Sequence, residues 1–305
     1  MKRVKVGVVL PTYRALANPA NIRRAAELSE ALGFDSVWVT DHVVVPSASL
    51  EAFGATFFEA VTTMAYVAGI TSRVEIGAAI LIVPYRHPLL LAKMLSTADA
   101  LSGGRMIAGV GLGWLEAESQ LMGVPHRQRA RIADEDLAIM RACWNGETEG
   151  FHFAPRPHNG RHLPVLVGGA SKAALRRAVR LGDGWIGDTL TFEELEASIG
   201  ELGRQATEAG RRRDEITIAM RTGLQVADDA SEVTDSPSET GWKTGELAVA
   251  GRSPFRGLRS DVVADFRRAA ELGVDHLVFE FPVSRGEESM YLFETLASVR
   301  EEANV

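Results

Sequence analysis

The 305-residue sequence predicts an α/β protein built as a single closed (β/α)8 barrel, and three observations support this fold class. First, eight apolar, strand-like runs alternate with helical patterns, as the eight βα units of a TIM barrel would. Second, the strands are apolar along almost their whole length, which is typical of parallel strands buried on both faces. Third, the same helix-to-strand junction recurs at Leu32-Gly33, Leu181-Gly182 and Leu272-Gly273, where each glycine can end a helix in the left-handed conformation.

The elements are assigned in chain order from these patterns. The predicted strands span residues 4–11, 36–40, 74–83, 105–111, 164–167, 185–188, 216–226 and 276–281. The helical patterns between them span residues 18–32, 57–69, 88–101, 130–144, 172–181, 192–209 and 261–272. Pro19 stands in the first turn of the first helix, where a missing N–H is tolerated. The first strand ends in LPTYRALANP and lacks the G-x-G-x-x-G of a doubly wound dinucleotide-binding sheet, so the closed barrel is favoured over that alternative.

Two segments are longer than a barrel requires, and we otherwise expect one domain over residues 1–305. Residues 114–163 contain a helix and a hairpin-like stretch, TEGFHFAPRPHNGRH. Residues 227–258 are rich in Ser, Thr, Gly and Pro, a composition that predicts a mobile loop. Both segments follow the C-terminal end of a strand, so we expect them to lie over the barrel mouth, where barrel enzymes carry their active sites.

The composition disfavours several classes of function. A net charge of −7 argues against nucleic acid and anionic membranes as partners. The single cysteine, Cys143, excludes a disulfide framework, and the longest apolar run, IGAAILIVPY, has about half the length of a membrane span. The apolar stretch after the basic N-terminus is too short for a signal peptide, so we expect a cytoplasmic protein.

The stretch VWVTDHVVVP places Asp41 and His42 at the C-terminal end of the second predicted strand. One interpretation is a strand end whose acid and imidazole face water. The other is an active site in which a histidine exchanges a proton near neutral pH and is oriented by a carboxylate. On the second interpretation the pair faces the barrel mouth and lies outside the core.

Three further features converge on the same face of the barrel. Ala78 and Ala79 are small residues in the third strand, where another group could approach the backbone. The fourth strand ends in GVGLGW, which contains Gly109, Gly111 and Gly113. The fifth strand leads through Gly168-Gly169 to Ser171 and a helix, an arrangement suited either to phosphate binding or to simple helix capping.

The sequence offers little for metal or covalent catalysis. The remaining histidines show no ligand spacing, and His276 begins the eighth strand, at the end of the barrel opposite the mouth. There is no G-x-S-x-G nucleophile elbow. We therefore expect no metal site.

The set VWVTDHVVVP, AAILIVPYRHPLLLAKMLSTADALSGGRMIAGVGLGW and PVLVGGASKAALRRAVRLGDGW, in this order, resembles the luciferase-like monooxygenase superfamily. The DH dipeptide, PYRHP and LSGGR resemble the branch that uses the deazaflavin coenzyme F420, whereas many FMN-using relatives show EHH after the second strand. The resemblance implies a non-prolyl cis peptide at Ala79-Ile80 beneath the deazaflavin ring, and ring contacts from Asp41 and His42. It also implies cofactor binding at the glycines of the fourth and fifth strands, with the phosphate at Gly168, Gly169, Ala170 and Ser171 and with Gly109 and Gly111 nearby.

The function that the resemblance implies is an F420-dependent oxidoreductase, which transfers a hydride between deazaflavin and a small organic substrate. His42 would supply the proton and Asp41 would fix its orientation. An FMN-dependent monooxygenase and a non-catalytic flavin-binding protein are the alternatives. Trp114 stands where the sugar-phosphate dehydrogenases of the family carry a catalytic glutamate, so we expect Trp114 to contact a flatter, more apolar substrate. We expect a homodimer that has no nucleic-acid or membrane partner.

Overall fold

A closed barrel of parallel strands forms the centre of the computed structural model, which describes residues 3–160, 162–227, 229, 253–281 and 288–304. The strands are β1 Lys5–Val9, β2 Ser36–Val39, β3 Glu75–Ala78, β4 Leu81–Ile82, β5 Met106–Gly111, β6 Val165–Gly168, β7 Gly184–Asp188, β8 Thr217–Gly223, β9 Gln225–Ala227, β10 Arg256–Leu258 and β11 His276–Glu280. Their order is β3-β2-β1-β11-β8-β7-β6-β5-β4, and pairing of β3 with β5 closes the ring. Since β3 and β4 together make the third strand, the barrel has eight strand positions, as predicted.

Helices connect the strands and cover the outside of the barrel. They are α1 Pro19–Ala31, α2 Leu50–Phe53, α3 Ala60–Ile70, α4 Pro88–Ser102, α5 Glu116–Leu121, α6 Arg129–Asn145, α7 Lys172–Leu181, α8 Phe192–Glu208, α9 Arg259–Glu271 and α10 Glu288–Ala303. Side-chain caps begin several of them: Asn18 Oδ1 accepts the Asn21 amide of α1, and Thr191 forms a capping box with Glu194 in α8. None of the helices in the described residues is long and apolar enough to cross a membrane.

The third strand departs from the prediction of one run over residues 74–83. It is interrupted between β3 and β4, where the Ala79-Ile80 peptide bond is cis, as the family resemblance implied. The neighbouring strands carry glycines against this interruption. A Cβ on Gly109 would lie 1.8 Å from the Ala78 carbonyl oxygen, and a Cβ on Gly168 would lie 2.8 Å from Ile80 Cγ2. Because Gly109 and Gly168 lack a Cβ, Ala78 and Ile80 of the interrupted strand can occupy that space.

The seventh strand is also divided. The predicted run over residues 216–226 forms β8 and β9, and β9 pairs in parallel with β10 as a separate two-stranded sheet. Most of the predicted mobile loop, residues 228 and 230–252, lies outside the described residues. The hairpin-like stretch in residues 148–162 contains no strand among its described residues, so that expectation was wrong.

The end of the barrel opposite the mouth is closed by a buried polar cluster. Trp38 Nε1 donates to Ser36 Oγ at 2.7 Å, and that hydroxyl in turn bonds His276 Nε2 at 2.7 Å. Because the Ser36 oxygen accepts from Trp38, its proton is available to His276, whose Nε2 then acts as the acceptor. Burial lowers the pKa of His276 to about 3, so this imidazole is neutral at physiological pH.

Candidate active site

The C-terminal ends of the strands surround a cavity of about 310 Å³. Most of the predicted site residues line it: Asp41, His42, Ala79, Ile80, Gly111, Trp114, Gly168, Gly169 and Ser171. Gly109 and Ala170 are not among the lining residues. Gly109 instead lies against the Ala78 carbonyl, so its absent side chain serves the packing of the third strand.

Asp41 is a buried member of an ion-pair network. Its side chain accepts both guanidinium nitrogens of Arg86, at 2.7 and 2.8 Å, and the Ile82 amide at 2.8 Å. Arg86 Nη2 also bonds Glu59 at 2.6 Å. Burial opposes the positive charge of Arg86, but the two carboxylates outweigh it and raise its pKa. The expectation that Asp41 orients His42 was therefore wrong, because the carboxylate is engaged with Arg86 and the backbone.

Glu118 of α5 holds the catalytic candidate His42. Its Oε2 lies 2.7 Å from His42 Nδ1, and its Oε1 accepts the amides of Val43 and Val44 at 2.8 and 3.2 Å. Since a carboxylate only accepts, Nδ1 carries the hydrogen and Nε2 is the nitrogen that can exchange a proton with a bound molecule. His42 is only 4% exposed, which corrects the expectation that the pair lies outside the core.

A chain of hydroxyls continues from this carboxylate towards the surface. Tyr85 lies with its hydroxyl 3.5 Å from Glu118 Oε2 and 3.1 Å from Ser119 Oγ. Ser119 Oγ in turn lies 3.2 Å from His126 Nδ1. Burial raises the pKa of Tyr85 to about 12, so the phenol remains protonated and serves as a neutral hydrogen-bonding partner.

Aromatic rings pack around His42, and one of them, Trp114, forms part of the cavity wall. The His42 ring lies 5.1 Å from Phe57, 5.7 Å from Phe53 and 6.4 Å from Trp114, measured between ring centroids. Trp114 is 53% exposed although it lines the cavity, so a bound molecule could cover it. A flat, apolar ligand suits such a wall.

The side of the cavity formed by the later strands is polar. Arg221 of β8 pairs with Glu280 of β11, which also accepts the Tyr13 hydroxyl. Arg221 Nη1 reaches Asp188 of β7 at 3.3 Å. Burial opposes the Arg221 charge, but Glu280 and Asp188 outweigh it and raise its pKa. Burial, reinforced by Glu280, likewise raises the pKa of Tyr13, which stays neutral.

The glycine turn before α7 forms the third part of the site. Gly169 has a φ of +118°, a conformation that favours glycine, and Ser171 Oγ accepts the Ala174 amide at 3.2 Å to begin the helix. Arg129 lines the same cavity and donates to two carbonyl oxygens, Gly113 O at 3.1 Å and His126 O at 2.7 Å. A helix N-terminus and an arginine together suit a phosphate group.

Five charged residues of this site were not expected from the sequence: Arg86, Glu118, Arg129, Asp188 and Arg221. Arg86 lies within PYRHP, but nothing in its spacing indicates that it pairs with Asp41, 45 positions earlier. Glu118 reaches His42 across 76 positions from a short helix in the insertion. Among the described residues there is no group of three His, Cys, Asp or Glu side chains that could hold a metal ion.

Comparison with known proteins decides the family. A family model described as luciferase-like monooxygenase matches residues 4–282. The chain belongs to the luciferase-like monooxygenase family. This confirms the resemblance drawn from the strand-end motifs.

Relatives of this luciferase-like monooxygenase family member use different cofactors. An uncharacterised Mycobacterium tuberculosis protein is 31% identical over 66% of this chain and 77% of its own length. An FMNH2-dependent dimethylsulfone monooxygenase of Pseudomonas putida is 27% identical over 62% of this chain and 54% of its own length. The F420-dependent tetrahydromethanopterin reductase of Methanopyrus kandleri has the same fold, with a TM-score of 0.75 and 21% identity over 96% of this chain and 97% of that one.

Proposed function

We propose that the protein is an F420-dependent oxidoreductase that transfers a hydride between deazaflavin and a small organic substrate. The observation that carries this proposal is the pairing of His42 with Glu118 at the wall of a cavity. This pairing holds Nδ1, and Nε2 would be the nitrogen that exchanges a proton with a bound substrate. Acid–base catalysis by a positioned imidazole contributes about 10²–10⁴-fold in rate.

The residues around the cavity fit a flat cofactor with a phosphate tail. Ala79, Ile80 and Ile186 give an apolar surface for a ring system, and Arg129 with Ser171 and the α7 amides would hold the phosphate. When bound, reduced deazaflavin supplies a hydride from its central ring. The protein would position the ring, exclude water from the reacting atoms and deliver the proton.

His42 would act as the proton donor in the direction of substrate reduction. Its protonated Nε2 would give a proton to the substrate atom that becomes more basic as the hydride arrives. Glu118 would stabilise the imidazolium before this transfer and keep the hydrogen on Nδ1 after it. Phe53 and Phe57 pack against this imidazole, and Trp114, which lines the cavity, would keep the substrate beside it.

A second candidate is an FMN-dependent monooxygenase. The similarity to the dimethylsulfone monooxygenase of Pseudomonas putida favours it, and the apolar surface and phosphate-binding groups suit FMN as well. The DH dipeptide at Asp41-His42 favours F420, because many FMN-using relatives show EHH at this place. Cofactor binding therefore separates the two candidates.

The test is to titrate the purified protein with F420 and with FMN separately, and to follow cofactor fluorescence. We expect F420 to bind more tightly, and Arg129→Gln to weaken binding while Arg127→Gln, on the exposed side of the same segment, leaves it unchanged. Turnover is then measured with reduced F420 and a panel of enones, imines and quinones. Preference for FMN, with oxygen consumption, would establish the second candidate instead. Binding without turnover of any substrate would favour a flavin-binding protein.

A further inference from the structure

The charged side chains that line the cavity are not equally neutralised. Asp41 is matched by Arg86, and Arg221 is matched by Glu280, each at salt-bridge distance and buried. Arg129 donates to two carbonyl oxygens and has no carboxylate partner among the residues that the structure describes, and Asp188 shares the buried Arg221 with Glu280. Arg129 lines the same cavity as the glycine turn, where the proposed cofactor phosphate would bind.

Asp188 presents its carboxylate to the cavity. It lies at the C-terminal end of β7 with 44% of its side chain exposed. Both of its described hydrogen bonds use Oδ1, one from Arg221 at 3.3 Å and one from Thr189 Oγ1 at 3.2 Å. Oδ2 receives no hydrogen bond from any residue that the structure describes.

The carboxylate of Asp188 is the charged group of this cluster that a ligand would meet first. The Arg221 guanidinium and the Glu280 carboxylate are both 6% exposed and bond one another, and the Arg14 guanidinium lies over the ring of the cluster's Tyr13, 5.2 Å from the ring centroid. A ligand group that approaches Asp188 therefore meets a half-exposed carboxylate oxygen, which attracts cations and hydrogen-bond donors and repels anions.

The barrel topology places Asp188 opposite the proton donor. In the ring of eight strand positions β2 is the second and β7 the sixth, so four positions separate them in either direction. His42 follows β2 and Asp188 ends β7, and both line the same cavity. A molecule between them would have its reacting atom at His42 and its distal group at Asp188.

We propose that Asp188 is a substrate-binding residue that selects compounds with a cationic or hydrogen-bond-donating nitrogen on an unsaturated, planar framework. Trp114 contacts the planar framework and Asp188 binds the nitrogen group. This inference rests on the proposed function, because it assigns a substrate class to the same cavity. Compounds with a carboxylate or phosphate at that position are excluded by repulsion.

The test uses three fragments of one shape, benzamidine, benzamide and benzoate, which carry positive, neutral and negative charge. Their dissociation constants are measured by ligand-observed NMR on the protein without added cofactor. We expect benzamidine to bind about three- to tenfold more tightly than benzamide, which is the range for a half-exposed ion pair, and benzoate to bind most weakly.

Variants test whether Asp188 causes the preference for benzamidine. Asp188→Asn keeps the shape of the side chain and should make benzamidine and benzamide bind equally well. Glu193→Gln removes one negative charge from an exposed residue of α8 that does not line the cavity, and should preserve the preference. Trp114→Ala should weaken all three fragments by a similar factor. Thermal denaturation verifies that each variant is folded. Asp188→Ala removes the same charge and provides a second test if Asp188→Asn does not fold.

Two outcomes would overturn the inference. One is equal binding of the three fragments or a preference for benzoate, and the other is a benzamidine preference that survives Asp188→Asn. Neither outcome depends on F420 or FMN. The fragment experiment therefore tests the role of Asp188 separately from the proposed function. With the cofactor bound, Asp188→Asn should raise KM for amine or imine substrates by a similar factor and leave kcat nearly unchanged.

Discussion

Glu118 is the residue that connects the insertion after β5 to His42 at the end of β2. It is fully buried, and it accepts hydrogen bonds from the His42 ring and from two backbone amides. One carboxylate thus fixes both the imidazole and the turn that follows it. Loss of its charge should affect catalysis and folding together, although it touches no substrate.

We expect Glu118→Gln to lower turnover at least tenfold, because the amide cannot stabilise an imidazolium and offers only one acceptor oxygen for the four groups that bond the carboxylate. Steady-state kinetics with saturating cofactor measures this effect, and the pH profile of kcat should shift as well. Glu116→Gln, on the exposed side of the same helix, is the matched control and should behave as the parent. A Glu118→Gln enzyme with unchanged rate and pH profile would remove Glu118 from the mechanism.

We expect Asp41 to contribute to stability through its buried ion pair with Arg86. Its replacement by alanine leaves the Arg86 guanidinium, which is only 9% exposed, without its bidentate partner. Breaking a buried pair in this way costs about 3–5 kcal/mol in the free energy of unfolding, to be measured by urea denaturation. Asp214→Ala, which removes an exposed carboxylate, should leave the unfolding midpoint close to that of the parent. Asp41→Ala protein with parental stability would mean that the Arg86 network does not hold the fold.

At the scale of the elements, the third strand depends on glycines in its neighbours. The side-chain positions of Gly109, Gly111 and Gly168 are occupied by the Ala78 carbonyl or by the Ile80 side chain. Besides their predicted role in cofactor binding, these glycines therefore allow the neighbouring strands to pack against the third strand. Two of them, Gly111 and Gly168, serve the cavity wall as well.

We expect Gly109→Ala to destabilise the protein by several kcal/mol, because its Cβ would stand 1.8 Å from a backbone oxygen that cannot move without displacing β3. Gly200→Ala in α8 makes the same chemical change where no atom lies within 4 Å, and should raise stability by about 0.5–1 kcal/mol. Urea denaturation of both variants checks the difference in sign. Equal effects would show that the close approach at Gly109 is unimportant.

Local patterns predicted most of the barrel's strands and helices, but not the divisions of the third and seventh strands, the last helix or the contacts between elements. The predicted second and eighth strands, residues 36–40 and 276–281, agree with β2 and β11 to within one residue, because apolar runs and helix-ending glycines are short-range signals. The same signals placed His42 at the cavity. They could not identify Glu118 or Arg86 as partners, because those contacts join residues 76 and 45 positions apart through tertiary packing.

The molecule as a whole keeps its two barrel ends distinct. The mouth carries the cavity and the buried ion pairs of Asp41 and Arg221, whereas the opposite end is closed by Ser36, Trp38 and a neutral His276. His276 is only 3% exposed and its Nε2 bonds the Ser36 hydroxyl, so burial disfavours its protonation in the folded protein.

This burial predicts a pH dependence of stability. Between pH 6.5 and 3 the unfolded chain binds a proton at His276 that the folded protein does not, so stability rises with pH through this window and is lost as the pH falls. From pH 7 to pH 5 the loss should be about 2 kcal/mol. Urea denaturation at both values measures it, with His276→Gln expected to reduce the dependence and the exposed His152→Gln expected to keep it. A parent-like slope in His276→Gln would assign the effect to carboxylates instead.

The opposite placement of β2 and β7 has a stereochemical consequence. If the nitrogen group of a planar substrate binds at Asp188 and its reacting atom lies at His42, these two contacts fix the long axis of the substrate across the cavity. A half-turn about that axis keeps both contacts but exchanges the two faces, so selection of one face requires a third contact, for which Trp114 is the candidate among the lining residues. A prochiral substrate with a bulky group on one side of its long axis should then give an excess of one enantiomer, and Trp114→Ala should lower the enantiomeric excess measured by chiral chromatography. A racemic product from the parent enzyme would show that the cavity does not discriminate between the two faces.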